Sequence, residues 1–217
     1  MSLKIIHTAD WHLGQTFFGY DRDEEHEAFL SWLIDILTLR QTDVLLIAGD
    51  VFDVANPSAA AQRRFFRFLR EANRRNPQLQ IVIIAGNHDS AARLEAPIPL
   101  LEELNTSIVG AVPRTDLCKI DFDSLLIPLY NKEGKREAIC LAVPYLRQGD
   151  YPASKEGKDT YVEGVTRMYR QLYDYADSKG NRARPCLRWD TCMRLVLNCR
   201  KMTGANGPSW EDLNLYR

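Results

Sequence analysis

The sequence lacks the features that define several protein classes. It has no run of 18 apolar residues, so we expect no transmembrane helix. Residues 1–6 are too short for a signal peptide and lack a small-residue cleavage site. The five cysteines form no CxxC pair, which argues against a disulfide framework or a zinc ribbon. These absences predict a cytoplasmic protein with free thiols.

The sequence also lacks an excess of charge of either sign. The formal net charge is -1 over 217 residues, so no global field marks the chain as a nucleic-acid or membrane binder. The length suits one domain with a full hydrophobic core. A basic run lies on a predicted helix, and it fits either a solvated face or a phosphate contact. The run comprises Arg63, Arg64, Arg67, Arg70, Arg74 and Arg75.

Apolar residues in the first half of the chain follow strand and helix patterns in turn. Continuous apolar runs predict buried strands at residues 3–8, 43–48 and 80–85. Apolar residues at helical spacing predict helices at residues 24–40 and 59–76. Strands that alternate with helices are typical of an α/β layered sheet.

The second half of the chain predicts shorter elements. They are a helical segment at residues 99–104, β segments at 106–109, 124–129 and 138–143, a hairpin turn at 131–134, a helix at 160–177 and a polar loop at 178–185.

Each of the three early strands ends in a short polar motif. The motifs are DWH at residues 10–12, GDVFD at 49–53 and GNHD at 86–89. Carboxyl ends of parallel strands share one edge, where ligands bind. The side chains expected to converge there are Asp10, His12, Asp50, Asn87 and His88. Carboxylate, imidazole and amide groups suit Mn²⁺, Fe²⁺ or Zn²⁺, so the sequence predicts a divalent metal site.

Neighbouring polar residues receive other predictions. We expect Asp53 and Asp89 to orient the ligands or cap the backbone. His7 lies in the first strand and should pack there, and His26 lies among glutamates on a predicted solvated helix face. Trp11 should point away from its neighbours into the packing, because side chains alternate along an extended segment.

The three motifs resemble those of the calcineurin-like metallophosphoesterases. The longer strings HTADWHLGQ, AGDVFD, AGNHDS and VPYLR are similar to SbcD-type nucleases, and the similarity covers about residues 3–185. This resemblance implies a layered β-sandwich flanked by helices. It also implies a hydrolase that cleaves DNA phosphodiester bonds, as a double-strand exonuclease and single-strand endonuclease, in repair, recombination and replication.

The resemblance further implies the roles of the site residues. One Mn²⁺ ion would be held by Asp10 and His12 and a second by Asn87, with Asp50 bridging both ions. His88 would act near the scissile phosphate as the general acid. The implied partners are DNA, an SbcC-type ATPase of the SMC class and a second copy of the nuclease chain.

Two other interpretations remain open at this point. One is a metallophosphoesterase that acts on small phosphomonoesters or cyclic nucleotides. The other is a catalytically inactive fragment that only dimerises or binds DNA. Affinity for Mn²⁺ and a panel of phosphoester substrates would distinguish these possibilities.

The pattern of the family breaks after Pro185. No histidine follows His88, so the later GH and GHxH motifs that should supply three more ligands are absent. We therefore predict that residues 1–185 are the N-terminal portion of a nuclease domain and that residues 186–217 are a divergent tail. We also expect the fold to be incomplete, without the cap and ATPase-binding regions.

A shifted reading frame would explain the tail. Residues 189–193, WDTCM, can be encoded as TGG GAC ACC TGC ATG, and a neighbouring frame of these bases reads Gly-His-Leu-His. With fewer ligands and missing strands of the sandwich, this chain should be poorly soluble and weak or inactive as a nuclease.

Overall fold

The computed structural model describes residues 3–116, 119–153, 160–181, 186–189 and 196–197. Within these ranges the α-helices are α1 (Asp23–Leu39), α2 (Ala59–Arg75), α3 (Ala91–Glu95), α4 (Ile98–Leu101) and α5 (Tyr161–Ala176). The strands are β1 (Ile5–Ala9), β2 (Thr16–Phe17), β3 (Tyr20–Asp21), β4 (Val44–Ala48), β5 (Gln80–Ile84), β6 (Thr106–Val109), β7 (Arg114–Asp116), β8 (Lys119–Ile120), β9 (Leu126–Tyr130), β10 (Arg136–Ala142), β11 (Cys186–Trp189) and β12 (Val196–Leu197).

The first sheet is parallel and has the strand order β1-β4-β5-β6. Every residue of β4 and β5 is buried. Leu45 and Ile47 point into a core shared with α1 and α2, whereas Leu46 and Ala48 point into a second core. A strand covered on both faces gains by being apolar throughout. The predicted alternation of strands and helices is therefore confirmed.

The second sheet covers the other face of the first. Its order is β12-β11-β10-β9, with β9 and β10 antiparallel and β10 and β11 parallel. Met168 and Leu172 of α5 pack into the core that this sheet shares with the first sheet. The result is a two-sheet β-sandwich with helices on its outer faces, as the resemblance implies.

Some local predictions differ from the structure. The hairpins β2–β3 and β7–β8 and the short helix α3 were not predicted, and Asp177–Asn181 is a π-helical turn where the sequence predicts a polar loop. The tail contributes β11 and β12, although we expected strands of this layer to be missing. Strands pair through backbone N–H and C=O groups, and every residue except proline has both. A tail of unrelated sequence can therefore still pair with β10.

The prediction for His26 is wrong. His26 is 6% exposed and shares one face of α1 with the buried residues Leu30, Leu33 and Leu37. Its neighbouring glutamates misled the prediction, because adjacent helical residues point in different directions. Burial, and then the charges of Arg22 and Arg64, lower the pKa of His26.

Two buried polar side chains tie the sheets together at the edge opposite the three motifs. The Asp43 carboxylate accepts the backbone N–H of Lys4 at 2.7 Å and that of Lys132 at 3.2 Å. The Gln80 amide donates to the Pro128 carbonyl at 2.8 Å. These bonds join the starts of β1, β4 and β5 to the β9–β10 hairpin.

Replacing Asp43 with alanine should lower the free energy of unfolding by about 2–4 kcal/mol, because two backbone donors lose their acceptor. Urea denaturation measures this loss. The control is Asp35→Ala, which removes the exposed ion pair between Asp35 and Arg75 and should cost at most about 1 kcal/mol. Equal losses in the two variants would contradict the role assigned to Asp43.

Candidate metal centre

The segments that follow β1, β4 and β5 are held together by backbone hydrogen bonds. The Asp10 N–H donates to the Gly49 carbonyl at 3.2 Å, and the His12 N–H donates to the Asp50 carbonyl at 2.9 Å. The Gly49 N–H donates to the Ile84 carbonyl at 2.9 Å. The three polar motifs therefore meet at the carboxyl edge of the first sheet, as predicted.

Three residues of this edge adopt left-handed backbone conformations. The φ angles are 55° at Asp10, 45° at His12 and 47° at Asp50. Such conformations disfavour residues with a Cβ atom, although Asp and His tolerate them better than most. Local strain of this kind concentrates at functional sites, where surrounding hydrogen bonds enforce it.

The side chains of Asp10, His12 and Asp50 form one candidate ligand group. One potential ligand atom from each lies within 4.8 Å of the others, and Nε2 of His12 lies 3.9 Å from Oδ2 of Asp50. Burial, and then the negative charge of Asp50, raise the pKa of Asp10. Two carboxylates that repel one another beside an imidazole fit a divalent cation, which would neutralise them.

A second group consists of His12, Asp53 and His88, whose ligand atoms also lie within 4.8 Å of one another. Nδ1 of His12 is 3.2 Å from Oδ1 of Asp53, and this nitrogen has no hydrogen-bond partner among the residues that the structure describes. The rings of His12 and His88 meet edge to face, with centroids 5.0 Å apart. We expected Asp53 to orient the ligands, but its carboxylate lies close enough to His12 and His88 to be a ligand itself.

His88 is anchored on two sides. Its backbone N–H donates to Oδ1 of Asp50 at 2.9 Å, and its Nδ1 lies 2.7 Å from the carbonyl oxygen of Asp53. A carbonyl only accepts, so this geometry puts the hydrogen on Nδ1 and leaves Nε2 for other chemistry. The contact with the Asp53 carbonyl, and then the charges of Asp50 and Asp53, raise the pKa of His88.

Asp89 joins the second and third motifs. Its buried carboxylate accepts the backbone N–H groups of Val51 at 3.1 Å, Phe52 at 3.0 Å and Gly86 at 2.9 Å. Burial raises the pKa of Asp89, although these three donors act in the opposite direction. Asn87 is exposed, between Gly86 and His88, and both of these neighbours contact Asp50.

Replacing Asp89 with asparagine should lower the free energy of unfolding by about 2–3 kcal/mol. The shape is kept, but an amide has only one oxygen for three donors, and its NH₂ group must face an N–H. Thermal or urea unfolding measures the loss, with the exposed change Asp35→Asn as the control. A stability equal to that of the control would exclude the bridging role.

Two predicted neighbours lie as expected outside the ligand cluster. Trp11 is buried edge-on against the rings of Phe29 and Phe68, and its indole N–H donates to Thr8. His7 lies in β1, where burial lowers its pKa.

Sequence reasoning did not single out Gln15 and Arg22. The Gln15 amide donates to Oδ1 of Asp53 at 3.3 Å, and Arg22 donates to the Gln15 oxygen at 3.1 Å. The available signal was Gln15's position at the end of the HTADWHLGQ string.

The chain matches the family model described as calcineurin-like phosphoesterase over residues 3–182. It belongs to that family, which accounts for both the sandwich and the three-motif edge. The family implies divalent metal binding, and the two groups of candidate ligands fit that requirement.

The chain is also similar to curated nuclease subunits. It is 48% identical over 171 residues to the SbcD subunit of the SbcCD nuclease of Rhodobacter capsulatus, covering 78% of this chain and 42% of the relative. It is 31% identical over 192 residues to the corresponding subunit of Escherichia coli, covering 85% and 45%. The chain spans less than half the length of these relatives.

Among the described residues, no helix is long and apolar enough to cross a membrane.

Proposed function

We propose that this chain carries the metal-binding part of a nuclease subunit that hydrolyses phosphodiester bonds in DNA. The convergence of Asp10, His12 and Asp50 at one sheet edge is the observation that carries this proposal. The names of the relatives, which are nuclease subunits, support the choice of DNA over small phosphoesters.

Four side chains would hold two divalent cations, which we propose to be Mn²⁺. Asp10 and His12 would hold one ion, Asn87 would hold the other, and Asp50 would contribute to both. When bound, two such ions stabilise the attacking and leaving oxygens and lower the pKa of a water. The Asp53 carbonyl anchors the ring of His88, and the Asp89 carboxylate joins the loops of the second and third motifs.

His88 is proposed as the general acid. Its Nδ1 is occupied by the Asp53 carbonyl, so Nε2 would deliver the proton to the leaving oxygen. Its exposed position leaves room for a substrate strand.

The proposed partners follow from the relatives' names and from the surface. The SbcD protein of an SbcCD nuclease acts with an SbcC protein, which the resemblance identifies as an SMC-class ATPase. Trp32 and Leu39 of α1 are 56% and 75% exposed, and they provide apolar surface for a second copy of the chain. We place the protein in the cytoplasm, together with its DNA substrate.

We propose that residues 1–217, assayed on their own, are weakly active, because no histidine follows His88 among them. Residues 186–217 would then be the out-of-frame tail that follows a nuclease portion at 1–185. Sequencing the gene across the Pro185 codon tests the frame: an intact family continuation one frame away supports it, and none contradicts it.

The decisive experiment combines calorimetry with a substrate panel. We expect Mn²⁺ binding, slow Mn²⁺-dependent cleavage of bis(p-nitrophenyl) phosphate and weak cleavage of DNA. Preference for p-nitrophenyl phosphate or cyclic nucleotides would favour a small-phosphoester hydrolase. Absence of Mn²⁺ binding with DNA binding retained would favour a non-catalytic fragment, and rapid DNA cleavage would refute the weak-activity proposal.

A further inference from the structure

A segment outside the ligand cluster reaches the same edge of the molecule. The VPYLR string, residues 143–147, follows β10 directly. The backbone N–H of Tyr145 donates to the carbonyl of Ala85 at 2.9 Å. Ala85 immediately precedes the GNHD motif, so Tyr145 leaves the sheet beside the loop that carries Asn87 and His88, and Arg147 follows two residues later.

The backbone of this segment is held in one conformation. The Asp150 carboxylate accepts the Arg147 N–H at 2.7 Å, and the Asp150 N–H donates to the Arg147 carbonyl at 3.0 Å, which closes a turn. The Tyr161 hydroxyl donates to the Leu146 carbonyl at 3.0 Å. Arg114 donates to the Gly149 carbonyl at 2.8 Å. The turn is therefore pinned to α5 and β7.

The guanidinium of Arg147 is exposed and preoriented. It lies over the ring of Tyr145, 5.7 Å from the ring centroid. Within the part of the chain that the structure describes, it has no carboxylate partner, whereas Arg64 and Arg75 are both in ion pairs. The nearby Asp150 carboxylate binds backbone N–H instead. A stacked guanidinium without a counter-ion suits a planar, bidentate anion contact.

We propose that Arg147 binds a backbone phosphate of the DNA strand next to the scissile phosphate, with Tyr145 as its positioning residue. This inference rests on the proposed nuclease function. In a strand, phosphates recur every ~3.4 Å along the helix axis, so a cation beside the metal edge meets the neighbouring phosphate. A small phosphomonoester has no second phosphate to offer, so the contact would favour DNA over such substrates.

The test measures DNA affinity by fluorescence anisotropy, using a labelled duplex and the 217-residue chain in EDTA, so that no strand is cut. Arg147→Gln should weaken binding about tenfold, the loss of one charge-assisted phosphate contact. It should also reduce the slope of log K against log salt by about 0.9. The matched control, Lys132→Gln, removes an exposed cation from the hairpin at the opposite end of β10 and should change neither quantity.

Variants of Tyr145 test the positioning role. Tyr145→Phe keeps the ring and should bind DNA as the parent chain does, whereas Tyr145→Leu should bind about threefold more weakly, the loss of a weak cation–π contact. The Tyr145→Leu change should add no further loss in an Arg147→Gln background. Equal affinity of Arg147→Gln and Lys132→Gln, or no DNA binding by the parent chain, would overturn the proposal.

The outcomes for the two proposals are separable. Arg147→Gln should leave Mn²⁺ binding and the cleavage of bis(p-nitrophenyl) phosphate unchanged, because that diester has no second phosphate. If the parent chain binds no Mn²⁺ but Arg147→Gln still weakens DNA binding, the Arg147 contact is supported and the metal site is refuted. If Arg147→Gln still binds Mn²⁺, still cleaves the diester and binds DNA as tightly as the parent chain does, the metal site is supported and the Arg147 contact is refuted.

Discussion

Replacing Asp50 with asparagine should weaken Mn²⁺ binding by about 100-fold or more and abolish phosphodiester cleavage. Supporting residues of a metal site alone contribute roughly 10–100-fold to affinity, and Asp50 is central to the candidate site. Its Oδ2 lies 3.9 Å from Nε2 of His12, and it belongs to the same ligand group as Asp10. The amide removes the charge that a cation would neutralise. Calorimetry with Mn²⁺ and the diester assay measure both effects.

The asparagine variant separates metal binding from folding. An amide oxygen still accepts the His88 N–H that Oδ1 accepts in the parent chain, and asparagine tolerates the φ of 47° at this position. Stability without metal should be kept or increased, because the repulsion between the carboxylates of Asp10 and Asp50 is removed. Asp35→Asn on the exposed surface of α1 is the matched control. Unchanged Mn²⁺ affinity in Asp50→Asn would refute the metal site.

Replacing Gly86 with alanine should lower the free energy of unfolding by about 3 kcal/mol or more and also remove Mn²⁺ binding. A Cβ atom at Gly86 would lie 2.1 Å from Oδ1 and 2.3 Å from the backbone nitrogen of Asp50. The backbone around Asp50 cannot yield easily, because its carbonyl holds the His12 N–H. Urea denaturation and calorimetry measure the two losses.

The control for Gly86→Ala is Gly134→Ala in the β9–β10 hairpin. Gly134 has a φ of 71° and open space around it, so alanine there should cost only the conformational strain of about 1 kcal/mol. The double variant Gly86→Ala with Asp50→Gly should recover little, because the clash with the backbone nitrogen remains. Similar small losses at both glycines would show that the close approach at Gly86 is unimportant.

The sequence alone predicted the architecture of the first sheet. The runs that became β4 and β5 are apolar at every position except Gln80 at the start of β5, and burial on both faces favours this. It also predicted that Asp10, Asp50 and His88 share an edge, because parallel strands end on the same side. These are consequences of local patterns and of topology.

Only the tertiary structure decided the surroundings of each polar side chain. His26, which lies among glutamates in the sequence, is buried because it lies in line with Leu30 and Leu33 on the core face of α1. Asp53 and Asp89 each end a polar motif that follows a strand. Asp53 lies near His12 and His88, whereas Asp89 binds three backbone N–H groups.

The reason for this division is physical. Strand and helix patterns repeat along the chain, so a window of residues reveals them. The direction of a carboxylate and the hydrogen bond that holds Nδ1 of His88 depend on residues far away in the sequence. Tyr145 lies beside the GNHD loop because its backbone N–H donates to the carbonyl of Ala85, 60 positions earlier in the chain, and no local pattern encodes that contact.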